Sequence, residues 1–345
     1  MIRNFFHKLP ILSSLLLVFI AVGLLILYQK ILINDNTSYS SGVIILAYAA
    51  PIVFVVAMAF ILKLQGSIAL KKHGFLKGIF LFGLPLIGFS IVSFLATLTI
   101  TEGHENVSPT LMMLIFFTSH MLLIGVLEEF LFRGIILNNM LRRWGENKKG
   151  IIMAVIWSSL LFGCAHLANL INNPDILIGT ISQLIYTFCI GVFLAAIYIR
   201  FKNIWPAVIL HAFFNWMALI WTLSYPTIIA TEGVDIEIGI LLGRILLMAP
   251  FAIIGFVYLI KVWQPKNTGT SYYSVRICHN CQTRVKEHDD FCFNCGIRLQ
   301  DMLSCPSCAK KSEIEAVFCR YCGSELNKDP YISTELLSEH SVSQE

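Results

Sequence analysis

Long apolar stretches constrain this sequence more than any other feature. Hydrophobic residues occupy 57% of its 345 positions and charged residues only 13%, whereas soluble domains are about 25% charged. Eight stretches are apolar enough to cross a hydrocarbon core about 30 Å thick, which takes about 20 helical residues. We therefore predict an all-α polytopic membrane protein with about eight transmembrane helices. The spans are expected at residues 10–29, 43–62, 78–100, 110–140, 151–170, 178–199, 204–223 and 239–262.

The basic residues of the loops predict an orientation in the lipid bilayer. Segments on one side of the predicted spans carry fourteen Lys and Arg residues, whereas the alternate segments carry only Lys30. The excess of Lys and Arg normally lies on the cytoplasmic side. We therefore expect an integral, multi-pass protein with both termini in the cytoplasm.

The fourth predicted span contains two adjacent acids. Glu129 and Arg133 are spaced i and i+4 with the acid first, which is the favourable order for an ion pair on a helix. Glu128 projects about 100° away around the same helix, so it lacks that partner and can face another helix. A charge near the bilayer centre costs about 2.5–3.5 kcal/mol on insertion scales and indicates a function. Glu128 is therefore a candidate for chemistry.

Two later spans carry polar groups of their own. The fifth ends with Phe162 and His166, and the seventh places His211 and Asn215 on one face at i and i+4. A carboxylate and two imidazoles that line one water-filled cavity can catalyse hydrolysis. The alternative is that these groups only join helices by hydrogen bonds, at about 0.6 kcal/mol per contact.

The order of these motifs carries a resemblance to a known family. Three motifs follow one another on predicted spans that contain polar residues. They are Glu-Glu-x-x-x-Arg (128–133), Phe-x-x-x-His (162–166) and His-x-x-x-Asn (211–215). This arrangement resembles the CAAX protease and bacteriocin-processing family of intramembrane endopeptidases. The resemblance in motifs covers about residues 110–220. In the other predicted spans, only the hydropathy is similar to that of the family.

The resemblance implies a role for each residue of these motifs. Glu128 and His166 would activate a water molecule, and His211 and Asn215 would hydrogen-bond the oxyanion that forms. The family has also been described as metalloproteases, so an active-site zinc held by a Glu and two His stays open beside a glutamate-dependent mechanism. We favour the glutamate-dependent mechanism, because the sequence contains no His-Glu-x-x-His pair that would pre-form a zinc site. The supporting residues are expected to be Glu129, Arg133 and Phe162.

The cysteines are concentrated near the end of the chain. Eight of the ten form four Cys-x2-Cys pairs, arranged as two units offset by 27 residues. Four thiolates on two short knuckles give the tetrahedral environment that structural zinc accepts. The pattern predicts a double zinc ribbon with two structural zinc ions, which supply its folding free energy. The expected ligands are Cys278, Cys281, Cys292, Cys295, Cys305, Cys308, Cys319 and Cys322.

Composition also predicts the domain boundaries. The segment from residue 266 onward has a net charge of −2 and no basic stripe, which argues against nucleic-acid binding and favours a cytoplasmic protein partner. The predicted parts are a membrane domain (1–263, protease core about 110–222), a linker (264–275), a double zinc ribbon (276–325, with units 276–298 and 303–325) and a disordered tail (326–345).

Three functional hypotheses follow from the sequence. The leading one is an intramembrane endopeptidase that hydrolyses a peptide bond of a membrane-associated or prenylated peptide or membrane-protein substrate. The second is a catalytically silent membrane binding or immunity protein that uses the same cavity, with the zinc ribbons as a docking module. The third is a transporter with the carboxylate as its proton site. The third is disfavoured because the membrane body shows no convincing internal repeat of the kind common in transporters.

Overall fold

The chain folds into two compact units, Met1–Tyr273 and Ser274–Glu345. The computed structural model describes residues 2–32, 42–101, 106–145, 147–171, 174–225 and 238–262, together with 275–278, 284–286, 302–304, 307–308, 311–313, 318 and 322–325.

The described part of the first unit is entirely helical. Its α-helices, in chain order, are α1 (Ile2–Lys8), α2 (Pro10–Leu32), α3 (Gly42–Ala47), α4 (Ala49–Ile61), α5 (Gln65–Ile68), α6 (Phe75–Lys77), α7 (Leu84–Ile100), α8 (Leu111–Glu129), α9 (Asn138–Trp144), α10 (Lys148–Ala165), α11 (Leu177–Phe201), α12 (Trp205–Leu219) and α13 (Ile238–Val262). The π-helical segments Gly78–Phe82 and Phe130–Leu137 and the 3-10 segments His166–Ile171, Pro174–Ile176 and Ile220–Leu223 continue several of them.

Six stretches of the described residues are long and apolar enough to cross a membrane alone. They are Pro10–Leu32, Leu111–Trp144, Lys148–Ile171, Pro174–Phe201, Trp205–Leu223 and Gly243–Ile260. Each coincides with a predicted span, so the helical membrane fold is confirmed. The two other predicted spans differ from a simple crossing. Residues 43–62 correspond to the shorter apolar helix Ile45–Ile61, and residues 78–100 to a pair, Phe75–Phe82 and Leu84–Thr99, bent by 55°.

The bend in this pair lies at Gly83. Pro85 follows two residues later and has no N–H to continue the helical hydrogen bonds. Gly83 also packs tightly on α12, because a Cβ there would lie 2.5 Å from Cδ2 of Leu210. Gly83 at the bend is therefore packed against Leu210 of α12, the residue before His211.

Helix α11 forms the centre of the first unit. Every residue from Cys189 to Ile199 is buried, and α11 packs against both α10 and α13. Glycines permit its close contact with α10. A Cβ at Gly163 would lie 2.6 Å from the Leu184 carbonyl oxygen, and one at Gly191 would lie 3.0 Å from the Cβ of Ser159. Small residues at such contacts are typical of helices that associate in membranes.

The second unit repeats one hairpin. Strands β1 (Val275–Ile277) and β2 (Arg284–Lys286) pair antiparallel, and so do β3 (Met302–Ser304) and β4 (Lys311–Glu313). Both strands of the second hairpin start 27 residues after their counterparts, which matches the offset between the cysteine units. β1 begins at the last residue of the predicted linker. The rest of that linker and the predicted disordered tail lie outside the described residues.

Candidate active site

A glycine allows the two central helices of the site to meet. A Cβ on Gly125 of α8 would lie 2.9 Å from the Val208 carbonyl oxygen and 3.3 Å from the Cβ of Ala212, both on α12. Glu129 lies one turn after Gly125, and His211 lies beside Ala212. The close contact therefore brings the acids of α8 to the histidine of α12.

Glu129 is the centre of a buried ionic network. Its Oε1 accepts hydrogen bonds from Nη1 of Arg133 and from Nδ1 of His211, both at 2.8 Å. The side chains of Glu129 and Arg133 are 0% and 1% exposed. Arg133 also donates through Nη2 to the Gly191 carbonyl oxygen at 3.3 Å. The Glu129–Arg133 pair forms at the expected i,i+4 spacing, whereas the contact with His211 was not predicted.

The backbone changes from α to π directly after Glu129. All eight residues of the π segment, Phe130–Leu137, are buried, and Arg133 lies in its middle. A π segment uses i→i+5 hydrogen bonds and is frequent at functional sites. It rotates the following residues relative to a continued α-helix, and no pattern in the sequence signals it.

Glu128 differs from its neighbour in exposure. Its side chain is 27% exposed, and its Oε2 lies 3.4 Å from Nε2 of His211. His211 therefore has one ring nitrogen towards each carboxylate.

Phe162 links the second histidine to this network. Its ring centroid lies 5.4 Å from that of His166 and 5.7 Å from that of His211, and Cζ of Arg133 lies 4.5 Å from it. Nδ1 of His166 donates to the Phe162 carbonyl oxygen at 3.0 Å. A neutral His166 therefore carries its proton on Nδ1 and keeps a lone pair on Nε2.

Asn215 lies one turn after His211 on α12. Its side chain is half-buried and makes no hydrogen bond to any residue that the structure describes. Direct contacts join the other predicted site residues into one set. These are Glu128, Glu129, Arg133, Phe162, His166 and His211.

Two family models match this chain. Residues 109–217, which contain all seven of these side chains, match the family described as type II CAAX prenyl endopeptidase Rce1-like. Residues 278–323 match the double zinc ribbon. The chain carries an Rce1-like domain and a double zinc ribbon. No curated protein and no solved structure matches it.

The Rce1-like domain supports intramembrane endopeptidase activity of the CAAX type in an integral membrane protein. A peptide or membrane-associated substrate is accordingly supported. The double zinc ribbon supports zinc binding, and its match spans all eight expected ligands. Cys278 is buried directly after β1, Cys308 is half-buried and Cys322 is exposed. The five other cysteines lie outside the described residues.

The described side chains of the Rce1-like domain were compared with the arrangement that a metal ion needs. Among the residues that the structure describes, no group of three or more His, Cys, Asp or Glu is arranged to hold a metal ion. His166 and His211 each donate from Nδ1 to a protein acceptor, and Nε2 of His211 lies 3.4 Å from Oε2 of Glu128.

Sequence reasoning missed two residues that position the site. Gly125 permits the approach of α8 to α12, and Gly191 supplies the carbonyl oxygen that accepts from Arg133. Both are glycines inside apolar spans, where small residues mark close helix contacts. That signal could have identified the contact faces, although not the partners.

Proposed function

We propose that the Rce1-like domain hydrolyses a peptide bond within the membrane, with Glu128 as the general base. The different burial of the two adjacent acids supports this assignment. Glu129 is fully buried and neutralised by Arg133, whereas Glu128 is partly exposed and is the one that can meet water. A carboxylate in a partly apolar site is suited to accept and return a proton.

In this mechanism, Glu128 and His166 hold the attacking water. Nε2 of a neutral His166 accepts a hydrogen bond from the water, because Nδ1–H is donated to the Phe162 carbonyl oxygen. Glu128 takes the proton as the water oxygen bonds to the peptide carbonyl carbon. When the C–N bond breaks, Glu128 returns that proton to the leaving amine nitrogen, so the carboxylate is regenerated.

His211 and Asn215 are proposed to stabilise the oxyanion. Because Nδ1–H of His211 is donated to Glu129, His211 can donate from Nε2 only as an imidazolium. The amide of Asn215, one turn later, supplies the second donor. Preorganised donors of this kind typically contribute about 10²–10³-fold each to kcat.

The substrate we propose is a membrane-associated peptide, prenylated in the manner of CAAX substrates. The test is cleavage of a quenched, farnesylated peptide library by the purified full-length protein in detergent. Glu128→Gln should reduce cleavage by about 10²–10⁴-fold. Asp175→Asn, which neutralises an exposed acid on the segment Pro174–Ile176, is the matched control and should leave cleavage unchanged.

The same cleavage assay with a zinc chelator distinguishes the glutamate-dependent mechanism from one that uses an active-site zinc. Cleavage that survives a strong zinc chelator, in the full chain and in a variant truncated after residue 263, supports the glutamate-dependent mechanism. Loss of cleavage in both would favour an active-site zinc. Equal, measurable cleavage by the wild type and Glu128→Gln would contradict the assignment of Glu128 as the general base. No cleavage by either protein would favour a silent binding protein.

We also propose that the double zinc ribbon holds two structural zinc ions. The repeated hairpins support two equivalent units, each with four cysteines. One unit would use Cys278, Cys281, Cys292 and Cys295, and the other Cys305, Cys308, Cys319 and Cys322. With the basic loops of the membrane domain in the cytoplasm, both termini lie there too, and the ribbons can dock a cytoplasmic protein. Zinc analysis of the intact protein should give two ions per chain.

A further inference from the structure

We propose that a groove at one membrane surface binds the phosphate headgroup of an anionic phospholipid. The groove lies where the candidate span Leu111–Trp144 ends and the span Lys148–Ile171 begins. Its volume is about 370 Å³. Because only a short turn joins the two spans, the groove must lie at the boundary between hydrocarbon and water.

Two cations line the groove. Arg143 and Lys149 line it and are exposed, and neither makes an ion pair or hydrogen bond with any residue that the structure describes. Burial, together with the positive charges of Arg143 and Arg142, lowers the pKa of His7 in the neighbouring helix α1. The described residues of this corner therefore carry an excess of positive charge.

The walls of the groove become apolar towards the membrane. Lys149, Met153 and Trp157 lie at i, i+4 and i+8 on α10, so they share one face. At 1.5 Å per residue, Trp157 lies about 12 Å further along the helix than Lys149. The charged end of the groove suits a lipid phosphate. The apolar, aromatic wall at the other end suits the glycerol and the upper acyl chains of the same lipid. An acidic peptide or a free phosphate would use only the charged end.

Two local contacts hold the start of α10. The Asn147 side chain caps α10 by accepting from the Gly150 N–H at 2.9 Å. A Cβ on Gly150 would collide with the Trp144 carbonyl oxygen, so glycine is needed for this tight junction. The N-terminus of α10 adds partial positive charge to the same corner. Basic pockets between spans are known to take anionic headgroups, which are abundant in the cytoplasmic leaflet.

The proposal can be tested by fluorescence quenching, without peptidase turnover. Full-length protein is reconstituted in phosphatidylcholine vesicles that contain increasing fractions of phosphatidylglycerol brominated on its upper acyl chain, and tryptophan fluorescence is recorded. Brominated phosphatidylcholine is the reference. We expect a component of quenching with about thirty-fold preference for phosphatidylglycerol, which corresponds to about 1 kcal/mol for each of two cations. Trp157→Phe should remove most of that component, because Trp157 is its nearest reporter.

Charge variants distinguish a site from general surface attraction. Arg143→Gln/Lys149→Gln should abolish the preference, whereas Lys72→Gln/Lys77→Gln, which removes two exposed cations elsewhere, should retain it. Unchanged quenching by brominated phosphatidylcholine checks that each variant is folded. Equal quenching of the wild type by both lipids would overturn the proposal. So would equal losses in both charge variants, or displacement of the lipid by millimolar glycerol phosphate, which would indicate a site for soluble phosphates.

Discussion

Replacement by glutamine should have different effects at the two adjacent acids of the site. It should lower the stability of the protein at Glu129 and the rate of cleavage at Glu128. Glu129→Gln removes the charge that Arg133 and His211 share at 2.8 Å in a fully buried position. Breaking one member of a buried pair typically costs about 3–5 kcal/mol, because the other charge is left uncompensated. We expect a loss of that size in the free energy of unfolding. Glu128→Gln, with 27% exposure and a 3.4 Å contact, should cost about 0–1 kcal/mol while it reduces cleavage by about 10²–10⁴-fold.

The assay is unfolding of the purified protein from mild detergent by increasing SDS, followed by tryptophan fluorescence. A double variant, Glu129→Gln/Arg133→Met, completes a mutant cycle. It should be more stable than the sum of the single losses by about 1–3 kcal/mol, since it leaves no charge unpaired. A loss below about 1 kcal/mol for Glu129→Gln, or additive losses in the cycle, would refute the buried network.

Four other outcomes follow from the structure. Gly125→Val should destabilise by about 1–3 kcal/mol through overpacking, measured by the same SDS titration, whereas Gly23→Val, where a Cβ meets nothing within 4 Å, should not. Asn215→Ala should lower kcat by about 10²–10³-fold with little change in the free energy of unfolding. A chelator should unfold the zinc ribbon, detected as rapid proteolysis of the tail, because the metal supplies its folding free energy. Burial and nearby arginines lower the pKa of folded His7, so below about pH 6.5 the unfolded chain binds more protons. Stability should then fall as the pH is lowered, and His7→Gln should reduce this fall in a pH series of SDS titrations.

The apolar runs and the motif order predict most of the membrane fold, because hydropathy along one segment is a local property. The spacing of Glu129 and Arg133 is local too, and their ion pair forms at the expected positions. The bend at Gly83 could have been suspected from Pro85 alone. A straight span was nevertheless predicted, since the apolar run continues through the bend without interruption.

Contacts between helices were beyond the reach of the sequence. Helical periodicity relates residues on one helix and says nothing about which face of α12 meets α8. The bond from His211 to Glu129 depends on the backbone approach at Gly125, and the position of Arg133 depends on the π segment. Phe162 was predicted only as a supporting residue, yet its ring contacts both histidines and its carbonyl oxygen accepts a hydrogen bond from His166.

The bend at Gly83 links the site to the thickness of the surrounding bilayer. Spans respond to thinner or thicker membranes by changing their tilt, at a cost of fractions of a kcal/mol per Å of mismatch. The helix that follows the bend packs against α12, and Gly83 at the bend lies close to Leu210, next to His211. A change in acyl-chain length would therefore be transmitted to the helix that carries His211 and Asn215, and the rate of cleavage should vary with the lipids in which the protein is reconstituted.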